Sequence, residues 1–185
     1  MKQLLLVIDA QQALLEGEPK GIPIHNKTNL IRTINHVVHN ASEKEIPVIF
    51  VRDVDVADGA GAGFEIHEDI VLPNDCDIID KAATNAFYGT NLLQRLQSLK
   101  IEHLVIMGCE TQHCIDSAVR TATINGFDVT LIEDGHTTLG NEKLTPQQII
   151  DHHNITLHGH YNVDHFALVQ KSTEDVFSPK HHTFR

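Results

Sequence analysis

The stretch His103-Leu104-Val105-Ile106-Met107-Gly108-Cys109-Glu110-Thr111-Gln112-His113-Cys114 decides how the whole chain is read. The apolar run ending at Met107 and closed by Gly108 has the continuous hydrophobicity of a strand buried on both faces. A short polar turn follows, and Cys114 opens a predicted helix that runs to Asn125, where Asn125-Gly126 ends it. Ala118 and Ala122 keep that helix narrow enough to lie close on a sheet. A thiol at a helix N-terminus sits where its anionic form is stabilised, which makes Cys114 a candidate nucleophile.

The same strand-then-helix unit recurs on either side. Leu4 to Ile8 is an apolar run ending at Asp9. Leu30, Ile31, Ile34, Val37 and Val38 fall at helical spacing, predicting a helix over about 26–44. Strands are predicted at Pro47–Val51, Asp77–Asp80, Phe127–Ile132 and Phe166–Val169. Leu92, Leu93, Leu96 and Leu99 mark a helix entered from Thr90, and Thr145-Pro146 starts another that reaches about His158. Strands alternating with helices give an α/β fold with a mainly parallel sheet, in one domain over 1–185. The longest irregular piece, 53–73, contains three glycines and is long enough to be functional or mobile.

Composition narrows the function. With 41% hydrophobic residues the chain is globular rather than disordered. A formal net charge of -11, with no basic cluster, argues against nucleic acid or an anionic membrane as partner. Three cysteines without framework spacing point to free thiols in a reducing compartment, and the short apolar start Leu4–Ile8 is too brief for a leader or membrane span. The expectation is a cytoplasmic protein acting on a small molecule.

In an open parallel sheet, ligands bind outside the carboxyl ends of the strands. Asp9, Lys81 and Cys114 each follow a predicted strand and so meet at that edge. Each has an ordinary reading alone: a turn residue, a solvated lysine and a small buried hydrophobe. Together they form a nucleophile with a base and a cation. Asp9 can take the thiol proton, Lys81 can stabilise the anion, and backbone N–H groups of the Glu110–Cys114 turn can hold a tetrahedral oxyanion. The chemistry suits attack on an amide or related carbonyl.

Three motifs in this order resemble those of the isochorismatase-like cysteine hydrolases and together span most of the chain. They are Leu5-Leu6-Val7-Ile8-Asp9-Ala10-Gln11, Lys81-Ala82-Ala83-Thr84-Asn85-Ala86-Phe87-Tyr88-Gly89-Thr90, and Gly108-Cys109-Glu110-Thr111-Gln112-His113-Cys114-Ile115. The segment from Arg120 to Thr138 follows the family as well. The resemblance implies a single-domain, three-layer fold with a six-stranded, mainly parallel sheet flanked by helices. It implies a catalytic Asp9, Lys81 and Cys114, a cis peptide between Cys109 and Glu110, and an oxyanion hole from the Glu110 and Cys114 N–H groups. It also implies a homo-oligomer.

Branches within the family separate on local residues. True isochorismatases lack the cysteine, so Cys114 favours hydrolysis of an amide, carbamoyl or lactam bond. Nicotinamidases carry a D-x-H element for a divalent metal, whereas this chain reads Asp53-Val54-Asp55. Phe64-Glu65-Ile66-His67 is similar to an element of the metal-free branch, and Ile149 to Asn154 is shared with streptothricin hydrolase-like amidases. No metal or other cofactor is expected. A substrate pocket is expected from Gln11, Phe64, Phe87, Tyr88, Gln112 and His113, which neighbour the motifs; the Glu110 side chain can face into it or away. Other readings carry less. His152 and His153 are adjacent on a predicted helix and point about 100° apart, so they make a poor metal pair. The glycines at 59–63 lack the G-K-[ST] ending of a phosphate loop. An aspartyl-phosphate phosphatase would want a second carboxylate at Gln11. A binding or assembly module of the same fold would not need all three motif residues.

Overall fold

A computed structural model describes residues 1–185. In chain order its regular elements are β1 (Gln3–Ile8), α1 (Gln12–Glu16), α2 (Lys27–Glu43), β2 (Val48–Asp53), α3 (Gly61–Phe64), β3 (Asp77–Lys81), α4 (Leu92–Ser98), β4 (His103–Cys109), α5 (Asp116–Ile124), β5 (Asp128–Thr137), α6 (Pro146–Leu157), β6 (Tyr161–Asn162) and β7 (His165–Gln170). The sheet order is β3-β2-β1-β4-β5-β7-β6. Strands β3, β2, β1, β4, β5 and β7 are parallel, and the two-residue β6 pairs antiparallel on the edge. The six expected strands are therefore present, with one short strand added.

Period-2 alternation explains why both faces of the sheet are covered. Leu4, Leu6, Ile8, Leu104 and Ile106 face a core completed by Leu92 and Leu96 of α4 and by Ala118 and Ala122 of α5. Leu5, Val7, Val105, Met107 and Cys109 face the opposite core, filled by Leu30, Ile34, Val37 and Val38 of α2. These three layers leave the carboxyl edges of β1, β2, β3 and β4 side by side, and that edge holds the candidate chemistry. Crossing from β4 into its turn requires a glycine. Gly108 has φ 123°, and a Cβ there would lie 2.0 Å from the Ile8 carbonyl oxygen.

Three boundaries differ from the sequence reading, the first being β5, which runs on to Thr137 where the expected strand stopped at Ile132. The helix predicted to open at Cys114 begins earlier, as a π turn over Thr111–Ile115 that continues into α5. In that turn the Ile115 N–H donates to the Glu110 carbonyl five residues back, at 3.2 Å. The segment 53–73 is not bare loop. It holds a 3-10 turn (Val56–Gly59) and α3. It is fastened to the chain after β1 by the Gln11–Ile66 bridge, by Gln12 N–H to the Glu65 carbonyl at 2.8 Å and by His67 N–H to the Ala10 carbonyl at 2.9 Å. At the start of α6, Thr145 and Gln148 form a reciprocal capping box with Pro146 in the first turn.

Candidate active site

Parallel register brings the charged residues together. Asp53 and Lys81 are direct partners on β2 and β3, so their side chains meet across neighbouring strands. Asp9 lies one residue beyond β1, held by its N–H to the Val51 carbonyl at 2.9 Å, with φ 52° turning its carboxylate inward. Cys114 comes from the turn after β4. The ammonium of Lys81 is the hub: Nζ is 3.0 Å from Asp9 Oδ2, donates to Cys114 Sγ at 3.5 Å and forms a short contact with Asp53 Oδ2. Its side chain is completely buried.

Asp53 is the member that motif reading missed. The sequence pattern places it at the start of the irregular 53–73 piece, whereas in the structure it ends β2 at the same carboxyl edge. Two carboxylates around one ammonium set the local protonation. Burial pushes the Asp9 carboxyl up to about 6, against the pull of Lys81. Burial also works against the Lys81 charge, yet Asp9 and Asp53 together hold its pKa above the ordinary lysine value. The Cys114 thiol is pushed up to about 12, first by burial and then by the neighbouring Asp9 carboxylate. The expected stabilisation of the anion by its helix start is thus outweighed by burial and by Asp9. A thiol raised this far is neutral near pH 7, and it lies beside a carboxylate that titrates near 6.

Asp9 and Cys114 form the floor of a cavity of about 390 Å³, with Leu14, Asp53, Val56 and Glu110 on its walls. Asp55, Thr84 and His113 stand at the rim. Glu110 thus faces the site. Of the six residues expected to line the pocket, the structure places His113 there. Gln11 is fully buried behind the wall: its amide nitrogen donates to the Asp53 and Phe64 carbonyls, at 3.1 and 2.8 Å, and its amide oxygen accepts from the Asp53 N–H at 2.7 Å. Phe64 is buried under the Arg52 guanidinium, 4.2 Å from its ring centre. Phe87 packs against the core, Tyr88 is exposed, and Gln112 lies outside the cavity wall. Phe64 and Phe87, next to a motif in sequence, are taken up by packing, whereas Tyr88 points to solvent.

The Cys109–Glu110 peptide bond is cis. The turn it opens is anchored from below. Thr111 Oγ1 lies 2.9 Å from His136 Nδ1, and His136 Nε2 lies 2.9 Å from Asn154 Oδ1 on α6. Burial lowers the His136 pKa to about 4, so the ring is a neutral strut at neutral pH. Asp9, Asp53 and Cys114 offer ligand atoms within 4.8 Å of one another. The Lys81 ammonium already sits among all three, supplying the positive charge a metal would bring. A second cavity of about 390 Å³, beside Asp134, His136 and Asn154, holds no nucleophile and is separate from Cys114.

The family profile described as Isochorismatase domain matches residues 3–149. An uncharacterized isochorismatase family protein, YrdC of Bacillus subtilis, is 30% identical over 164 residues, covering 84% of this chain and 86% of the relative. A crystal structure of an isochorismatase family protein superposes with a TM-score of 0.81 at 26% identity, over 91% of this chain and 98% of that one. N-carbamoylsarcosine amidase from Thermoplasma acidophilum shares the fold, with a TM-score of 0.72 at 20% identity over 94% and 98% of the two chains. No helix is long and apolar enough to cross a membrane. With the profile covering most of the chain and the fold matching throughout, this protein belongs to the isochorismatase domain family.

Proposed function

We propose that this protein is a cysteine-dependent hydrolase that cleaves a C–N bond (amide, carbamoyl or lactam) of a small molecule through a thioester. The observation that carries the reading is the single ammonium of Lys81 joining Asp9 and Cys114 on the floor of one cavity. As Sγ attacks the carbonyl carbon, its proton passes to Asp9, and Lys81 balances the negative charge that reaches sulfur. The oxyanion meets backbone N–H groups of the Glu110–Cys114 turn. On collapse the C–N bond breaks, Asp9 returns the proton to the leaving nitrogen, and Cys114 holds the acyl group. Water then gives a proton to Asp9 and attacks the thioester. The C–S bond breaks, the acid departs, and the proton returns to sulfur.

A nicotinamidase-type reaction at a bound metal fits less well, because Asp55 stands where the D-x-H element needs a histidine and Lys81 fills the space between the available ligands. The test is ammonia release from a panel of small amides, ureido acids and carbamoylated amino acids, with lactam opening followed by mass. Turnover by the wild-type chain and none by Cys114→Ala supports the proposal. Equal turnover by the two would sink it.

A further inference from the structure

The charges around the cavity are one-sided. Its acidic members are Asp9 and Asp53 inside and Asp55 and Glu110 further out, and neither lysine nor arginine lines it. Lys81 lies beneath the floor and is already shared between Asp9 and Asp53, so its one charge offsets only one of that pair. The guanidinium of Arg52, the residue before Asp53, is engaged elsewhere. It donates to both oxygens of Asp80, at 2.8 and 3.0 Å, and to Glu65 at 2.6 Å. Asp55 has no cationic partner at all: its N–H donates to Asp53 Oδ1 at 3.0 Å, and its carboxylate is exposed. Glu110 has only the exposed His113 ring, at 3.9 Å.

The Asp9 carboxylate adds to this field: it is 2% exposed, its Oδ2 takes the Lys81 ammonium, the Cys114 thiol is its other hydrogen-bond neighbour, and no N–H donor of the protein reaches its Oδ1. An anionic ligand would bring no counter-charge into this field and would find no cation to receive it. A ligand with a positively charged nitrogen would be drawn in and paired at the wall.

We propose that the site selects small molecules carrying a positively charged nitrogen (on the hydrolase reading above, amides with an ammonium group outside the scissile bond) and rejects those carrying a carboxylate, with Asp55 and Glu110 reading the charge. Asp55 is at the rim and meets the ligand first. Glu110 is half-buried beside the nucleophile and meets it when seated.

Two arms separate this inference from the hydrolase reading. The first reads Cys114 directly with matched thiol probes, cationic 2-aminoethyl and anionic 2-sulfonatoethyl methanethiosulfonate. Each forms a mixed disulfide at sulfur and releases methanesulfinate. Site-resolved peptide mass spectrometry distinguishes Cys114 from Cys76 and Cys109, and rates are normalised to a free small thiol. The cationic probe should react about tenfold faster, and the ratio should shrink in high salt. Asp55→Asn and Glu110→Gln, which keep shape and remove charge, should each cut the ratio severalfold. A ratio near one, or one that neither variant changes, overturns the proposal. The second arm compares kcat/KM for 3-aminopropanamide, butanamide and succinamate. Preference for the first supports the proposal, and preference for succinamate or no preference overturns it. If none of the amides is turned over but the probe ratio holds and responds to both variants, the charge selectivity stands and the amide-hydrolase reading is what fails.

Discussion

The two ends of the sheet bury polar groups in opposite ways. At the carboxyl end, Lys81 and Asp9 keep their charges out of water and, with the partly exposed Asp53, lean on one another beside the Cys114 thiol. At the amino end, two buried histidines are held neutral beside one buried carboxylate, Asp128 at the start of β5, which pairs with Arg185 at 2.5 Å. His103 at the start of β4 has Nε2 2.9 Å from Thr130 Oγ1, and its ring meets that of His181 at 5.2 Å. His181 Nε2 is 2.9 Å from the Val129 carbonyl, which ties the C-terminal 3-10 turn (His181–Phe184) back to the sheet. Burial drives the His103 pKa down to about 3 and lowers that of His181. A neutral pair gives up little to desolvation and only fastens the chain. A buried ion triad costs more to assemble, and what it provides is a proton acceptor and a cation beside a thiol. The difference separates an end built for chemistry from an end built for cohesion.

The largest expected effect falls at the carboxyl end. If Cys114 is the nucleophile proposed above, Cys114→Ala should lower turnover by about a thousandfold or more while the fold persists. Asp9→Asn should come close to that. In the wild type, kcat/KM should fall about tenfold per pH unit as pH drops below about 6, because Asp9 must be ionised to accept the thiol proton. An acid limb unmoved in pH profiles of the wild type, or full activity in Asp9→Asn, would remove Asp9 from its role. Next in size is Lys81→Met, which leaves the buried Asp9 and the partly exposed Asp53 carboxylates facing each other without a cation. It should cost about 3 kcal/mol of unfolding free energy in urea titrations. Adding Asp9→Asn to it should recover part of that loss, whereas additive losses would mean that the triad is not energetically coupled.

The scaffold of that end was legible in sequence because its signals are local. Continuous apolar runs, helical spacing and Thr145-Pro146 located the elements, and the rule that sites gather at carboxyl strand ends joined Asp9, Lys81 and Cys114. What was not legible depends on register and packing. That Asp53 faces Lys81 follows from strand pairing across a connection of more than twenty residues. Gln11 turned out to be a buried clamp, and Phe64 and Phe87 turned into packing, because their surroundings come from distant segments. The π turn at Thr111–Ile115 differs from an ordinary helix start by one hydrogen-bond step, and the residue pattern does not report that step.

The amino end predicts a smaller, graded effect with a definite sign. The folded-state pKa of His103 is depressed below its unfolded value, so its contribution to stability is intact above about pH 6.5. It is lost as pH falls, because the unfolded chain takes up a proton that the folded ring refuses. His136 near the other end behaves alike, with its folded value at about 4. Unfolding free energy should therefore fall by up to about 1.4 kcal/mol per pH unit for each histidine between pH 6 and 4. His103→Leu should flatten that slope without changing the acid limb of catalysis. Equal slopes in wild type and variant would show that the amino end is not the neutral-histidine clamp its geometry describes.

The smallest effect tests whether the carboxyl end is held from outside its own charges. The buried Gln11 side chain makes three hydrogen bonds, two of them to the backbone of Asp53 and one to Phe64, and no contact with Lys81 or Cys114 is among them. Gln11→Ala leaves the Asp53 N–H and two carbonyls unpaired, which should cost about 1–3 kcal/mol. The sharper readout is catalytic. If the clamp fixes Asp53 against Lys81, the variant should lose kcat severalfold and shift the Asp9 acid limb, since the carboxylate that shares the ammonium has moved. If it only supports the fold, kcat and the pH profile of the folded variant should match the wild type, and loss should appear only in the urea midpoint. The first outcome would extend the active site to a residue that touches none of its reacting atoms, and the second would place Gln11 with the histidines as cohesion.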